Sequence, residues 1–141
     1  HLSLRRQRQM CIRDRFNTRA LYCLTLLRNK FYNGRIKIIP SDIYDYINYE
    51  SIAHMIMLKG SFIRDGGILI NLHNFTVKEL ILLLNVLKIK FNLDCILHKS
   101  KNQYGLYIKL ESVKILYPNI KQYIIESMRY KFHKNIINNQ K

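Results

Sequence analysis

The chain has 141 residues and a net charge of +15, from 24 lysines and arginines against nine acids, and 48% of it is hydrophobic. That length fits one domain with a real core, and a field of that sign favours a polyanion, most often nucleic acid, over charge that serves solubility alone. No apolar run approaches the ~20 residues of a membrane span, and three cysteines (Cys11, Cys23, Cys95) with no C-x-x-C spacing argue against a disulfide framework or zinc site and fit a reducing compartment. Heavy use of isoleucine, lysine, asparagine and tyrosine, with no tryptophan, looks like the product of an AT-rich genome such as an organelle's.

Residues 1–15 differ from the rest. They hold five of the ten arginines and none of the lysines, and the run Arg6-Gln7-Arg8-Gln9-Met10-Cys11-Ile12-Arg13-Asp14-Arg15 resembles a translated sequencing-adapter remnant. The segment is kept out of the fold on that ground; the rival reading is a basic arm that binds nucleic acid. Without its five arginines and Asp14 the net charge falls from +15 to +11, so the polyanion argument stands.

Residues 16–32 are amphipathic, with Leu21, Leu24, Leu27 and Phe31 at helical spacing. Asn33-Gly34 signals a stop and turn, 36–39 read as a short extended run ending at Pro40, and Ser41 is placed to cap a short helix to about Ile47. An apolar helix is expected over 51–58, ended by Gly60. Two strands, 61–64 and 68–73, join at Asp65-Gly66-Gly67. Thr76 and Glu79 form a capping box that opens a helix to about Lys90, with Val77, Leu80, Leu84, Leu87 and Phe91 as its apolar face. A second hairpin pairs 94–99 with 104–110 across 100–103. A short helix, 111–117, is broken or restarted at Pro118. A last helix spans 120–132, before an Asn- and Lys-rich tail expected to fray. The order helix, two strands, helix, two strands, helix describes an α+β domain with one four-stranded antiparallel sheet.

The stretch Ser51-Ile52-Ala53-His54-Met55-Ile56-Met57-Leu58-Lys59-Gly60-Ser61 resembles the signature helix of the LAGLIDADG homing endonucleases, in the variant ending aspartate-aspartate-glycine-serine. Further segments resemble the family in order: Lys37-Ile38-Ile39-Pro40 ahead of the helix, Ile70-Asn71-Leu72-His73-Asn74-Phe75-Thr76 at the strand-to-cap passage, Lys90-Phe91-Asn92-Leu93, Leu106-Tyr107-Ile108, and Met128-Arg129-Tyr130-Lys131-Phe132 near the end. The resemblance covers about residues 31–132, is nearest to the second half of the two-domain, single-chain proteins of organellar introns, and implies an αββαββα fold.

The resemblance also implies roles. The residue before the glycine is the family's metal-binding acid, and here it is Lys59. An ammonium repels a cation and offers no lone pair, whereas metal-assisted phosphodiester hydrolysis needs hard oxygen ligands. Magnesium is the family's ion, and this half alone is expected not to hold it. A family basic residue falls at Gln103, with Lys101 or Lys109 as stand-ins. Sheet residues of one parity would face the DNA major groove: Asn71 and His73 share a face, as do Gln103, Tyr107 and Lys109, while Arg64, Lys99 and Lys101 near hairpin tips would meet phosphates. The bland alternative is a solvated sheet face. Ile52, Ala53, Ile56 and Gly60 would face a second LAGLIDADG half, located upstream or in trans, or a second copy. His73, His98 and His133 lack metal-ligand spacing.

The resulting expectation is a leader at 1–15, a connecting segment at 16–48, the domain at 49–133 and a tail at 134–141, the whole being a fragment or one half of a split pair. It would bind double-stranded DNA with cleavage lost or impaired. The alternatives are an RNA-binding intron maturase, a structural protein of an organellar ribosome or intron, and a decaying reading frame. Family and composition point to the mitochondrion or another organelle.

Overall fold

The computed structural model describes residues 17–139, and the arginine-rich leader at 1–15 falls outside the described residues. The described residues fall into two units, 17–30 and 31–139. Helix α1 (Tyr22–Phe31) starts six residues later than the apolar spacing suggests, and none of its residues is buried.

The second unit opens with a two-stranded ribbon, β1 (Tyr32–Asn33) and β2 (Ile36–Lys37), around Asn33-Gly34. Helix α2 (Ile43–Tyr46) follows, with Asp42 rather than Ser41 at its N-cap. Helix α3 (Tyr49–Lys59) begins two residues before the expected 51 because the Asn48 side chain accepts from the Ser51 amide and caps it.

Strands β3 (Gly60–Phe62), β4 (Ile68–Asn71), β5 (Cys95–Ser100) and β6 (Gln103–Ile108) form one antiparallel sheet in the order β3-β4-β6-β5. Helix α4 (Val77–Phe91) crosses from β4 to the far edge, starting at a complete Thr76–Glu79 capping box and ending at Asn92 in the left-handed region. The Glu79 carboxylate also accepts from the Ile39 amide at 2.6 Å, tying the segment before α2 to the start of α4. The loop between β5 and β6 is tighter than expected. Lys101 and Asn102 both have positive φ, as a two-residue hairpin turn of the mirror-image type requires.

Helix α5 (Leu110–Ile120) runs through Pro118 instead of stopping at it. The proline forfeits a bond to the Lys114 carbonyl, and both residues are exposed, so water can satisfy that oxygen. No α-helix spans 120–132. Two 3-10 turns, Lys121–Tyr123 and Glu126–Lys131, are separated by extended Ile124 and Ile125. The tail expected to fray carries a short helix, α6 (Lys134–Asn138), anchored by buried Ile136. The core lies between one face of the sheet and the helices, where Ile52, Ile56, Ile68, Ile70, Leu80, Leu87, Leu106 and Ile108 have no exposed surface.

Candidate nucleic-acid interface

Side chains alternate along a strand, and the register fixes which ones lie together. Ile68, Ile70, Leu106 and Ile108 point into the core. The opposite face carries the other parity in rows across the strands: Ser61, Leu69, Tyr107 and Ile96 in one row, then Asn71, Gly105 and His98, then Gln103 and Ser100. Leu69, Tyr107 and Ile96 pack against none of the core, and Ile96 is 46% exposed.

The two hairpin turns lie at opposite ends of the sheet. Arg64, in the β3–β4 turn, is exposed at one end, where Lys109 follows β6. Lys101, in the β5–β6 turn, is exposed at the other, beside Gln103. Lys109 and Gln103 therefore flank opposite ends of β6, and Lys109 cannot stand in for a basic group at Gln103. Lys99 pairs with Tyr104 on the core parity and holds its ammonium 5.8 Å from that ring, so its stem leans away from the outer face. His73 is exposed in the loop beyond β4.

The β3–β4 turn is pinned from the outer face. Tyr107 Oη donates to Asp65 Oδ2 at 2.6 Å, and the Gly67 amide donates to Asp65 Oδ1 at 3.1 Å. The Tyr107 hydroxyl and then the Gly67 amide hold the Asp65 carboxyl below its ordinary range. In return that bond, with some burial, pushes the Tyr107 hydroxyl up to about 12. The Tyr107 ring lies so close over Gly67 that a Cβ there would strike it.

At the end of α3, Lys59 is exposed and, among the described residues, has no hydrogen-bond or ion-pair partner. Beside it Gly60 enters β3 with an extended backbone, and a Cβ at that position would lie 2.5 Å from the Ile56 carbonyl oxygen. The glycine is required by space rather than by φ. Lys131 reaches the same helix end from the Glu126–Lys131 turn. Its buried ammonium donates at 2.5 Å to the Met57 carbonyl, one of those a helix terminus leaves unpaired, and at 3.3 Å to the Ile56 carbonyl, which also accepts from the Gly60 amide. The side chains at this end, from Leu58, Lys59 and Ser61, do not fit a magnesium ion, which takes oxygen ligands. The Asp65 carboxylate belongs to the turn at the other end of β3 and is taken up by Tyr107 and Gly67. Among the described residues no three His, Cys, Asp or Glu side chains gather.

Ile52, Ala53 and Ile56, expected to face a second half, have no exposed surface, and Gly60 is buried as well. At 3.6 residues per turn these three fall with Met57 on the sheet side of α3. The face turned outward carries Ser51, His54 and Leu58, with Leu58 74% exposed. It borders a groove of about 480 Å³ lined also by Ile39, Pro40 and Phe75.

Sequence reasoning missed Leu69, Ile96, Asp65 and Lys131. In β4 the run Ile68-Leu69-Ile70 is apolar on both faces, which hides the alternation that singled out Asn71. The roles of Asp65 and Lys131 depend on partners 42 and 75 positions away.

The family model described as the LAGLIDADG DNA endonuclease family matches residues 1–116. A cytochrome b mRNA maturase, bI2, of Debaryomyces hansenii is 34% identical over 106 residues, covering 74% of this chain and 40% of that protein. The intron-encoded endonuclease ai4 of Dictyostelium discoideum is 31% identical over 122 residues, covering 84% of this chain and 76% of that one. Among solved structures, the homing endonuclease I-WcaI bound to its DNA recognition sequence superposes with a TM-score of 0.77 at 29% identity, over 81% of this chain and 54% of that one. The chain thus spans about half the length, or less, of the maturase and of the solved endonuclease.

Proposed function

The chain belongs to the LAGLIDADG DNA endonuclease family, and from that premise we propose that it binds double-stranded DNA through the outer face of its sheet while no longer supplying the acid for cleavage. The observation that carries this reading is the combination of an open face with exposed cations at both of its ends, Arg64 and Lys109 at one and Lys101 at the other, on a chain of net charge +15. A strand of six residues spans ~20 Å, so the two sets of cations are spaced to meet phosphates several base pairs apart. Between them Asn71, His98 and Gln103 present the hydrogen-bonding groups that read base edges in a major groove. The likeness to I-WcaI bound to its DNA recognition sequence supports the same partner.

Cleavage is a separate matter. The residue that the family resemblance places at the metal is Lys59, and its ammonium repels the magnesium that a carboxylate would hold. In this reading the domain grips DNA, and any metal chemistry needs acids from elsewhere. A second LAGLIDADG half, covalently joined or in trans, or a second copy, would dock on the outward face of α3 at Ser51, His54 and Leu58. Organellar, mitochondrial action is part of the proposal, since the relatives are named for introns and for cytochrome b mRNA. No described helix is long and apolar enough to cross a membrane.

The maturase name favours a second reading, in which the same basic sheet holds structured intron RNA. Binding of duplex DNA and of a folded intron RNA, each measured across a salt series, separates the two. The first reading expects the duplex to bind more tightly at every salt concentration, with a steep salt dependence. Preference for the RNA overturns it in favour of the second.

A further inference from the structure

We infer that the row Leu69–Tyr107–Ile96 reads thymine methyl groups, so that the DNA this domain prefers carries thymines clustered under that row; the inference rests on the DNA-binding reading above. Leu69 and Ile96 flank Tyr107 in register on adjacent strands. All three point away from the core, on a face whose other members are small or polar.

Tyr107 belongs with the two aliphatic residues because its hydroxyl is already spent. It donates to Asp65 at 2.6 Å, and that carboxylate is held in place by the Gly67 amide. What remains to face a ligand is the ring. The row therefore offers contiguous apolar surface and no free donor of its own. Exposed cations at both ends of the face select a polyanion as the occupant over an apolar protein surface. Within a major groove the one apolar group that differs between bases is the 5-methyl of thymine, which side chains of this kind recognise by contact. The adjacent row, Asn71–Gly105–His98, offers hydrogen bonds instead. The face is thus divided into an apolar strip and a polar strip, each suited to a different part of a base edge.

The test is selection of bound duplexes from a pool with a randomised centre, followed by replacement of thymine by uracil in the winners. The expected result is a thymine cluster in which each critical uracil weakens binding about fourfold, the effect of one buried methyl. The Leu69→Ala and Ile96→Ala variants should bind thymine and uracil duplexes alike, and Ile96→Ala, at a largely exposed site, keeps the test open if Leu69→Ala fails to fold. Equal binding of thymine and uracil duplexes by the unaltered chain overturns the inference and leaves the DNA-binding reading standing. Failure to bind any duplex overturns both. A thymine preference unchanged in the two variants, with a change in their oligomeric state, assigns the row to contact between copies and also overturns the inference.

Discussion

Lys131 and Lys101 carry the same side chain and meet opposite surroundings. Lys131 is buried at the end of α3, where its ammonium satisfies the carbonyls of Ile56 and Met57. Lys101 stands in a hairpin turn at the edge of the sheet, exposed to solvent. Lys90 repeats the inward pattern, donating to the carbonyls of Tyr44 at 2.6 Å and Ile47 at 2.8 Å, so that it closes α2 against α4. Lys88 and Lys114 are paired with Asp94 and Glu111. A net charge is therefore an upper bound on the charge a ligand can meet. The inward lysines build the scaffold, and those at the ends of the outer face are left for a polyanion.

That contrast can be broken most forcefully at Lys131. Replacing it by methionine keeps the volume but leaves the Met57 carbonyl without its donor, while the Ile56 carbonyl keeps the Gly60 amide. The expected loss is about 2 kcal/mol of unfolding free energy, read from urea denaturation; a loss close to zero would mean that the ammonium contributes nothing there.

A smaller effect is expected at Glu79, the anionic counterpart of the inward lysines. Burial works to raise its carboxyl, but the Ile39 amide and the Thr76 hydroxyl and amide outweigh it and hold the group below its ordinary value. A carboxyl depressed in the folded state contributes stability that is complete above its unfolded pKa and lost as the pH falls through its folded pKa. Glu79→Gln, which removes the charge that strengthens the bonds from Ile39 and Thr76, should cost about 1 kcal/mol at neutral pH, and the difference from the unaltered chain should shrink as the pH drops below the ordinary glutamate range. Unfolding curves across that range check it, and a constant difference would contradict the assignment.

The smallest change in stability belongs to Lys101. Lys101→Ala should leave unfolding within about 0.5 kcal/mol while lowering the slope of log affinity for duplex DNA against log salt by about 0.9. An unchanged slope would remove Lys101 from the contact surface and sharpen the division between the two sets of cations.

How much of the molecule was legible in its sequence depended on how local each signal is. The Thr76–Glu79 box, the Asp65-Gly66-Gly67 turn and the two hairpins are written in adjacent residues, and the sheet followed from them. Pro118 was misjudged because the cost of proline depends on whether the orphaned carbonyl meets water, which requires knowing that Lys114 is exposed. Lys101 and Asn102 form the tight turn although lysine carries no signal for positive φ. The buried face of α3 was placed on the wrong neighbour: Ile52, Ala53 and Ile56 do lie on one stripe, but a stripe does not say whether it meets this chain's own sheet or a second domain. The apolar row of Leu69, Tyr107 and Ile96 exists only through register, and no single strand displays it.

Holding DNA without cutting it, as proposed, has a plain signature in the integrity of both strands of the bound duplex. Duplexes selected for binding are incubated with the unaltered chain and magnesium, and the retained complexes are separated on a denaturing gel. The retained DNA is expected to have both strands intact. Magnesium-dependent nicking by the chain with Lys59 in place would contradict it.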